Sequence, residues 1–228
     1  MRAIIVADGD VQGGSALRRV LDVPPTDGPA LVVAADGGAL KAAVLGLEPS
    51  VVVGDGDSLP PDRAAELRRE GVEVIVHPAQ KDESDTELAV REALARGAQS
   101  IVIVGAFGGD RLEHSVANLL LLTLPELAAK DVALVDGPST VRVIGGPGPG
   151  RLNISGGVGD YVSLLAFSER VDGVTTSGLR YPLTDETLLQ GPTRGLSNEL
   201  SSDHAEVATR NGRLAVIHTQ RDGDQADV

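Results

Sequence analysis

Six short apolar runs, "RAIIVAD", "ALVVAAD", "SVVVGD", "VEVIVHP", "SIVIVGA" and "VALVDG", recur through residues 2–137, and each is separated from the next by a stretch with helical spacing. Runs of this length, rich in Val and Ile and apolar on both faces, are strands buried on both sides. The intervening segments "GSALRRVLD", "GALKAAVLG", "DRAAELRREG", "DTELAVREALARG" and "LEHSVANLLLLTLPELAAK" read as helices, the last as one long helix. Strand and helix in strict alternation imply a parallel sheet covered by helices on both faces, the doubly wound arrangement. In such sheets ligands bind beyond the carboxyl ends of the strands.

The alternation stops near "GPSTVRVIGGPGPG", where Gly and Pro cluster. Beyond it "RLNISG", "DYVSLLAF", "VDGVTTSGL", "HAEVATRNG" and "RLAVIHTQ" are short β-type runs divided by turn residues. The expected organisation is therefore an α/β domain over residues 1–137, followed by an antiparallel β-sandwich domain over 138–228. The final stretch "RDGDQADV" is acidic and expected to fray.

Composition removes several function classes. A formal net charge of −13 opposes nucleic-acid binding, which needs clustered Lys and Arg, and two Tyr with two Phe offer little for base stacking. Without cysteine there can be no disulfide, no thiolate metal site and no thiol nucleophile, so any metal must sit on oxygen or imidazole. No apolar run approaches a membrane span, and "MRAIIVADGD" turns polar too soon for a secretion signal, so a cytoplasmic address is expected.

What remains is a pattern of acids. Asp36 follows "LVVAA", Asp55 and Asp57 follow "SVVVG", and "KDESDTE" (81–87) follows "VEVIVHP", so all three clusters lie just past the ends of predicted parallel strands. Brought together, their carboxylates repel one another, and a divalent cation such as Mg2+ most simply offsets that cost. Gly37, Gly38, Gly54 and Gly56 beside them let backbone approach a phosphate closely. Asp, Ser and Thr in "KDESDTE" are also good helix caps, and both readings can hold for that segment. A fourth loop, "GAFGGDRLEHSVANLLLL", sets glycines and Arg111 before a helix start, which suits an anion, although neither GxxxxGK[ST] nor GxGxxG is present.

Six motifs, "AADGGA", "VVVGDGDS", "KDESDTE", "GAFGGDRLEHSVANLLLL", "GLRYPL" and "GLSNEL", occur in the order and with roughly the spacing of the thiamine pyrophosphokinase (thiamine diphosphokinase) family, which the chain resembles over nearly its whole length. The resemblance implies an α/β domain followed by a β-sandwich, a homodimer, and transfer of the pyrophosphoryl group of ATP to the hydroxyethyl oxygen of thiamine with release of AMP. It implies Mg2+ on Asp55, Asp57 and Asp85, with Asp36 a further ligand or an orienter of substrate. Lys81 and Arg111 would hold the phosphates. Asp36, Gly37, Gly38, Ser58, Asp82, Gly108, Gly109, His114 and Asn118 would complete the nucleotide side, Asp82 by tuning the metal shell. Ser197 and Asn198 would hydrogen-bond the aminopyrimidine of thiamine, and Tyr181 is expected in the sandwich core.

Two departures from the family pattern stand out: Glu113 replaces the usual Asp in the glycine loop, and the chain has no Trp to cover thiamine. Only Phe107, Phe167, Tyr161 and Tyr181 could stack there. Two alternatives share these residues: a nucleotide- or thiamine-binding regulator without turnover, and pyrophosphoryl transfer to another small hydroxyl acceptor.

Overall fold

In the computed structural model, residues 1–22 and 28–221 are described. Most of the "RDGDQADV" stretch therefore lies outside the described residues. The first half runs β1 (Arg2–Val6), α1 (Ser15–Asp22), β2 (Leu31–Ala35), α2 (Gly38–Val44), β3 (Val51–Gly54), α3 (Pro61–Arg69), β4 (Glu73–Val76), α4 (Asp85–Ala95), β5 (Ser100–Val104), α5 (Leu112–Leu121) and β6 (Asp131–Asp136). These six strands are parallel in the order β4-β3-β2-β1-β5-β6, so the order reverses between β1 and β5. Side chains alternate across the sheet: Ile5, Val33, Val53 and Ile103 pack under α4 through Ala89, Val90 and Ala93. Ile4, Val6, Val32, Val102 and Val104 meet Ala16 and Leu17 of α1 and Ala42 of α2 on the other face. Both faces are thus buried, which is why these strands are continuous apolar runs.

The long helix expected from 112 onward is two pieces. Helix α5 stops at Leu121, and a single 3-10 turn covers Pro125–Leu127. Leu124 takes φ −54° and ψ 132°, the extended conformation that a following proline imposes on its predecessor.

The second half runs β7 (Ser139–Gly146), β8 (Gly150–Ser155), β9 (Tyr161–Ala166), β10 (Arg170–Ser177), β11 (Glu186–Leu189), β12 (Asn198–Glu199), β13 (His204–Thr209) and β14 (Gly212–Thr219). The stretch read as a Gly/Pro interruption contains β7, which turns back on β6 through Gly137 and Pro138, with Asp136 opposite Ser139 and Gly137 at φ +52°. The boundary expected at 137/138 falls in that tight turn, and the sheet continues through it. Strands β7, β14, β9 and β12 extend the parallel sheet to ten strands, while β11, β10, β13 and β8 form a second sheet. A sandwich core lies between them, built from Ile144, Leu164, Leu214 and Val216 on one side and Ile154, Val174, Leu188 and Val207 on the other. Tyr181 is outside this core: its side chain is largely exposed, with the Arg180 guanidinium 5.4 Å from the ring centre. The main chain of Tyr181, not its ring, is what the fold holds, as described below.

One sheet serves both halves, so they should unfold together. All the described helices lie in the first half, and Tyr161 and Tyr181 both lie in the second, so helix circular dichroism and tyrosine fluorescence report the halves separately. Leu214→Ala, at a fully buried position of β14, should cost about 3 kcal/mol in urea melts and shift both signals equally. Separate midpoints for the two signals would show that the shared sheet does not couple the halves.

Candidate active site

The loops after β1, β2, β3 and β4 carry the acids, and the fold brings them to one end of the sheet. Carboxylate oxygens of Asp36, Asp55 and Asp57 lie within 4.8 Å of one another. Asp36 is buried and takes φ +44°, a left-handed conformation uncommon outside glycine but tolerated by Asp. Its Oδ2 accepts a hydrogen bond from the Ser58 amide at 2.8 Å, tying the β2 loop to the β3 loop. Asp55 Oδ1 accepts from the Asp57 amide at 3.2 Å, and Asp57 Oδ1 accepts from the Ser58 hydroxyl at 3.0 Å. Ser58 is thus the knot of the acidic turn.

Lys81 arrives from the loop after β4. Its Nζ donates to Asp55 Oδ2 at 3.0 Å and lies 3.1 Å from Asp85 Oδ1, with the lysine side chain 12% exposed. Asp85 therefore stands across Lys81 from the three close carboxylates, and it opens α4. Ser84, just ahead, caps that helix through the Glu87 amide at 3.1 Å. The dense polar segment accordingly does two things at once: Ser84 starts the helix while Lys81 and Asp85 face the acidic turn. Asp82 is exposed and points to no described partner.

Electrostatics follow the geometry. Burial pushes Asp36 up to about 6, reinforced by Asp57 and Asp85 and opposed by the Ser58 amide. The Lys81 hydrogen bond holds Asp55 below the ordinary carboxylate range. Burial pulls on Lys81, but Asp55 and Asp85 outweigh it and raise it above the usual lysine value. An excess of carboxylate over cation in a confined, oxygen-lined site fits a hard divalent ion such as Mg2+.

Two further acids of the same kind stand here, outside the three clusters named from the sequence. Asp8 and Asp10 follow β1 in "ADGD", the same Asp-Gly pattern as the clusters that were read. Asp8 lies against the start of α2, where a Cβ on Gly37 would sit 2.4 Å from its Oδ2. Burial raises its pKa, Lys41 lowers it and Asp57 raises it, so Asp8 and Lys41 both belong to the crevice. Gly38 is required for another reason: a Cβ there would meet the Val6 carbonyl oxygen at 2.1 Å.

The glycine loop after β5 is zipped to β1, with the Gly9 amide on the Gly105 carbonyl at 2.8 Å and the Asp10 amide on the Phe107 carbonyl at 2.7 Å. Asp10 reaches back to this loop, its Oδ2 3.4 Å from the Gly109 amide and close against Gly108, which has φ +80°. Asn118 is buried and donates to the Ala106 carbonyl at 2.8 Å, fixing the loop from beneath. Arg111 is turned along the surface to Glu113, Nε to Oε1 2.8 Å, with both side chains about two-thirds exposed. Its partnership lowers the pKa of Glu113. His114 is exposed on α5.

Ser197 and Asn198 lie at the opposite margin of the long sheet, on and beside β12, seven strand positions from β2. Asn198 is buried and its amide is committed to the fold. Its Oδ1 accepts from the amides of Tyr181 at 3.0 Å and Glu199 at 2.9 Å, and its Nδ2 donates to the Tyr181 carbonyl at 2.7 Å. Ser197 is exposed at φ +57°, its amide on the Ser163 hydroxyl at 3.1 Å and its own hydroxyl without a partner among the described residues. A cavity of about 190 Å³ beside it is walled by Tyr181, Leu196 and Arg194.

The raised pKa of Asp36 carries a sign. In the folded, metal-free protein Asp36 binds its proton more tightly than in the unfolded chain, so the stability this one carboxyl contributes is full below about pH 4 and is lost as pH rises through about 6. Asp36→Asn keeps an acceptor for Ser58 and tolerates the left-handed backbone. It should stabilise the metal-free protein at pH 7.5 by about 2 kcal/mol and by nothing at pH 4, read from urea melts at the two pH values. A variant destabilised equally at both would mean that Asp36 sits there without electrostatic cost.

With this geometry in place, comparison with known proteins is specific. Residues 27–134 match the profile described as thiamin pyrophosphokinase, catalytic domain, and residues 151–214 that described as thiamin pyrophosphokinase, vitamin B1 binding domain. Thiamine pyrophosphokinase of Bacillus subtilis is 28% identical over 195 residues, covering 85% of this chain and 89% of the relative. The crystal structure of thiamine pyrophosphokinase from that organism superposes with a TM-score of 0.81 at 26% identity, covering 96% of this chain and 99% of the other. That of thiamin pyrophosphokinase from Geobacillus thermodenitrificans gives a TM-score of 0.79 at 30% identity, covering 98% and 99%. The yeast thiamin pyrophosphokinase structure shares the fold, with a TM-score of 0.73 at 14% identity over 96% of this chain and 86% of the other. Two family models that together span most of the chain, with a structural relative 30% identical over nearly the full length of both, show that the chain belongs to the thiamin pyrophosphokinase family.

Proposed function

We propose that the chain transfers the pyrophosphoryl group of ATP to thiamine, giving thiamine diphosphate and AMP. The observation that carries this reading is the set of Asp36, Asp55 and Asp57 oxygens within 4.8 Å of one another, flanked by Lys81, at the carboxyl ends of parallel strands in a member of this family. In the reaction the hydroxyethyl oxygen of thiamine bonds to the β-phosphorus of ATP. The bond from that phosphorus to the α-phosphate bridging oxygen breaks, and the hydroxyl proton is lost. Such a displacement needs positioning and charge neutralisation rather than a covalent nucleophile.

The residues divide that work. Asp36, Asp55 and Asp57 are suited to hold Mg2+, with Asp85 completing the acidic wall across Lys81 and Asp8 adding charge behind Gly37. Bound there, the ion would supply charge neutralisation of the triphosphate oxygens. Lys81 keeps its proton, because two carboxylates stabilise it, and presents a fixed cation to the same oxygens. Gly37 and Gly38 let the start of α2 come close to the nucleotide, and Gly108, Gly109 and Asn118 shape the facing loop. Arg111 would have to exchange Glu113 for a phosphate on nucleotide binding, a modest demand for an exposed pair. Glu113, one methylene longer than the family Asp, reaches Arg111 directly and parks it when no nucleotide is bound. The thiazolium of thiamine is cationic, so the same acidic crevice attracts the acceptor.

We assign Ser197 the contact with the aminopyrimidine, and Asn198 the task of fixing the turn that presents it. Tyr181, exposed beside the adjoining cavity, offers the aromatic face that tryptophan would otherwise supply. Within one chain Ser197 and Asp36 stand seven strands apart, on the order of 30 Å. A homodimer resolves this, because the β12 margin of one copy can close over the acidic crevice of the other. Residues 1–137 would then bind metal and nucleotide, and 138–228 would bind thiamine and mediate dimerisation. Among the described residues no helix is long and apolar enough to cross a membrane, and we assign the enzyme to the cytoplasm, with its ATP.

A mixed-dimer experiment tests this arrangement. Asp57→Ala should abolish transfer without unfolding the chain, and Ser197→Arg, which sets a cation against thiamine, should lower kcat/KM for thiamine at least 100-fold. Refolded together, the two inactive chains should recover measurable turnover, because a mixed dimer contains one site with neither defect. If the mixture stays as inactive as its parts, each site is built within one chain.

A further inference from the structure

A cavity of about 620 Å³ lies apart from the acidic crevice. It opens at the amino ends of the parallel strands, where Arg2, Ser100 and Asp131 begin β1, β5 and β6, so roughly 16 Å of strand separates it from the carboxylates. Its floor is Val102, Ala133, Val135 and Val216, all at most 8% exposed, where the layer of α1 meets the sandwich. Its far wall is β8, through Leu152 and Ile154. The sandwich's second sheet and the helical layer therefore stand on either side of an apolar trough.

The rim of the trough is cationic in a chain whose net charge is −13. Arg19 of α1, Arg142 of β7 and Arg2 all line it, against a single lining acid, Asp131. Asp131 holds Arg142 at only 3.4 Å with its own side chain 64% exposed, a surface pair that an incoming dianion can outcompete. Guanidinium groups select phosphate or carboxylate oxygens, often in pairs, and a trough of this volume suits a ligand of metabolite size.

We infer that this trough is a second ligand site for a small organic anion, whose phosphate or carboxylate meets Arg19 and Arg142 and whose apolar body lies on Val102, Val135 and Leu152. The binding needs no contact with either substrate, so any effect on turnover is transmitted through the sheet or α1.

The absence of tryptophan provides a site-specific test. Asn153→Trp, on the exposed side of β8, places the sole tryptophan of the chain on the wall of the trough, and anilinonaphthalene sulfonate is an anion with an apolar body that accepts its excitation. Energy transfer should saturate at one dye per chain and persist when ATP, Mg2+ and thiamine are saturating. Adding Arg19→Glu, or Arg19→Glu with Arg142→Glu, should weaken the dye at least tenfold while the circular dichroism melt stays cooperative. Competition then names the source: displacement by pyrophosphate marks a phosphate ligand, and displacement by citrate a carboxylate. Dye affinity unchanged in both charge-reversed chains would reduce the trough to an apolar surface. Absence of transfer at any dye concentration, as when a second copy covers the trough, would also overturn the proposal.

Discussion

Like charges gathered in a small space govern this protein. Asp36, Asp55 and Asp57 repel one another, and the fold holds them together regardless, through the Ser58 amide and hydroxyl and the ammonium of Lys81. Lys81 offsets part of the repulsion, since it is shared between Asp55 and Asp85. The remainder is visible in Asp36, whose carboxyl is pushed to about 6. A site left with that imbalance suits a divalent cation, which on the function proposed above would arrive with the nucleotide.

The sheet makes the cluster possible and also limits it. Parallel strands deliver successive loops to one end, so acids separated by about twenty residues in sequence become neighbours in space. The same sheet, extended by β7, β14, β9 and β12, carries Ser197 to its far margin. Asp36 and Ser197 are therefore held far apart within one chain, and the function proposed above accordingly calls on a second copy to bring a Ser197 turn to the acidic crevice.

The features legible in the sequence were those set by local periodicity. Each apolar run of the first half is a strand, and the acids just past β2, β3 and β4 meet at one end of the sheet. What escaped reading depends on distant partners. Strand β7 is hidden among Gly and Pro, and its identity is settled by pairing with β6 and β14. The amide of Asn198 resembles a ligand contact until its three hydrogen bonds to Tyr181 and Glu199 are seen. Arg111 turns along the surface because Glu113 is near enough to hold it. Asp8 and Asp10, by contrast, were open to the same strand-end argument as Asp36, and the break before Pro125 was implied by proline's effect on the preceding residue.

Pyrophosphoryl transfer leaves distinct products, so the most direct measurement is of those products. Purified protein incubated with ATP, Mg2+ and thiamine should yield AMP and thiamine diphosphate in equal amounts, resolved by chromatography, and neither should form when metal or thiamine is omitted. Formation of ADP with thiamine monophosphate, or AMP released without thiamine diphosphate, would contradict pyrophosphoryl transfer at the acidic crevice.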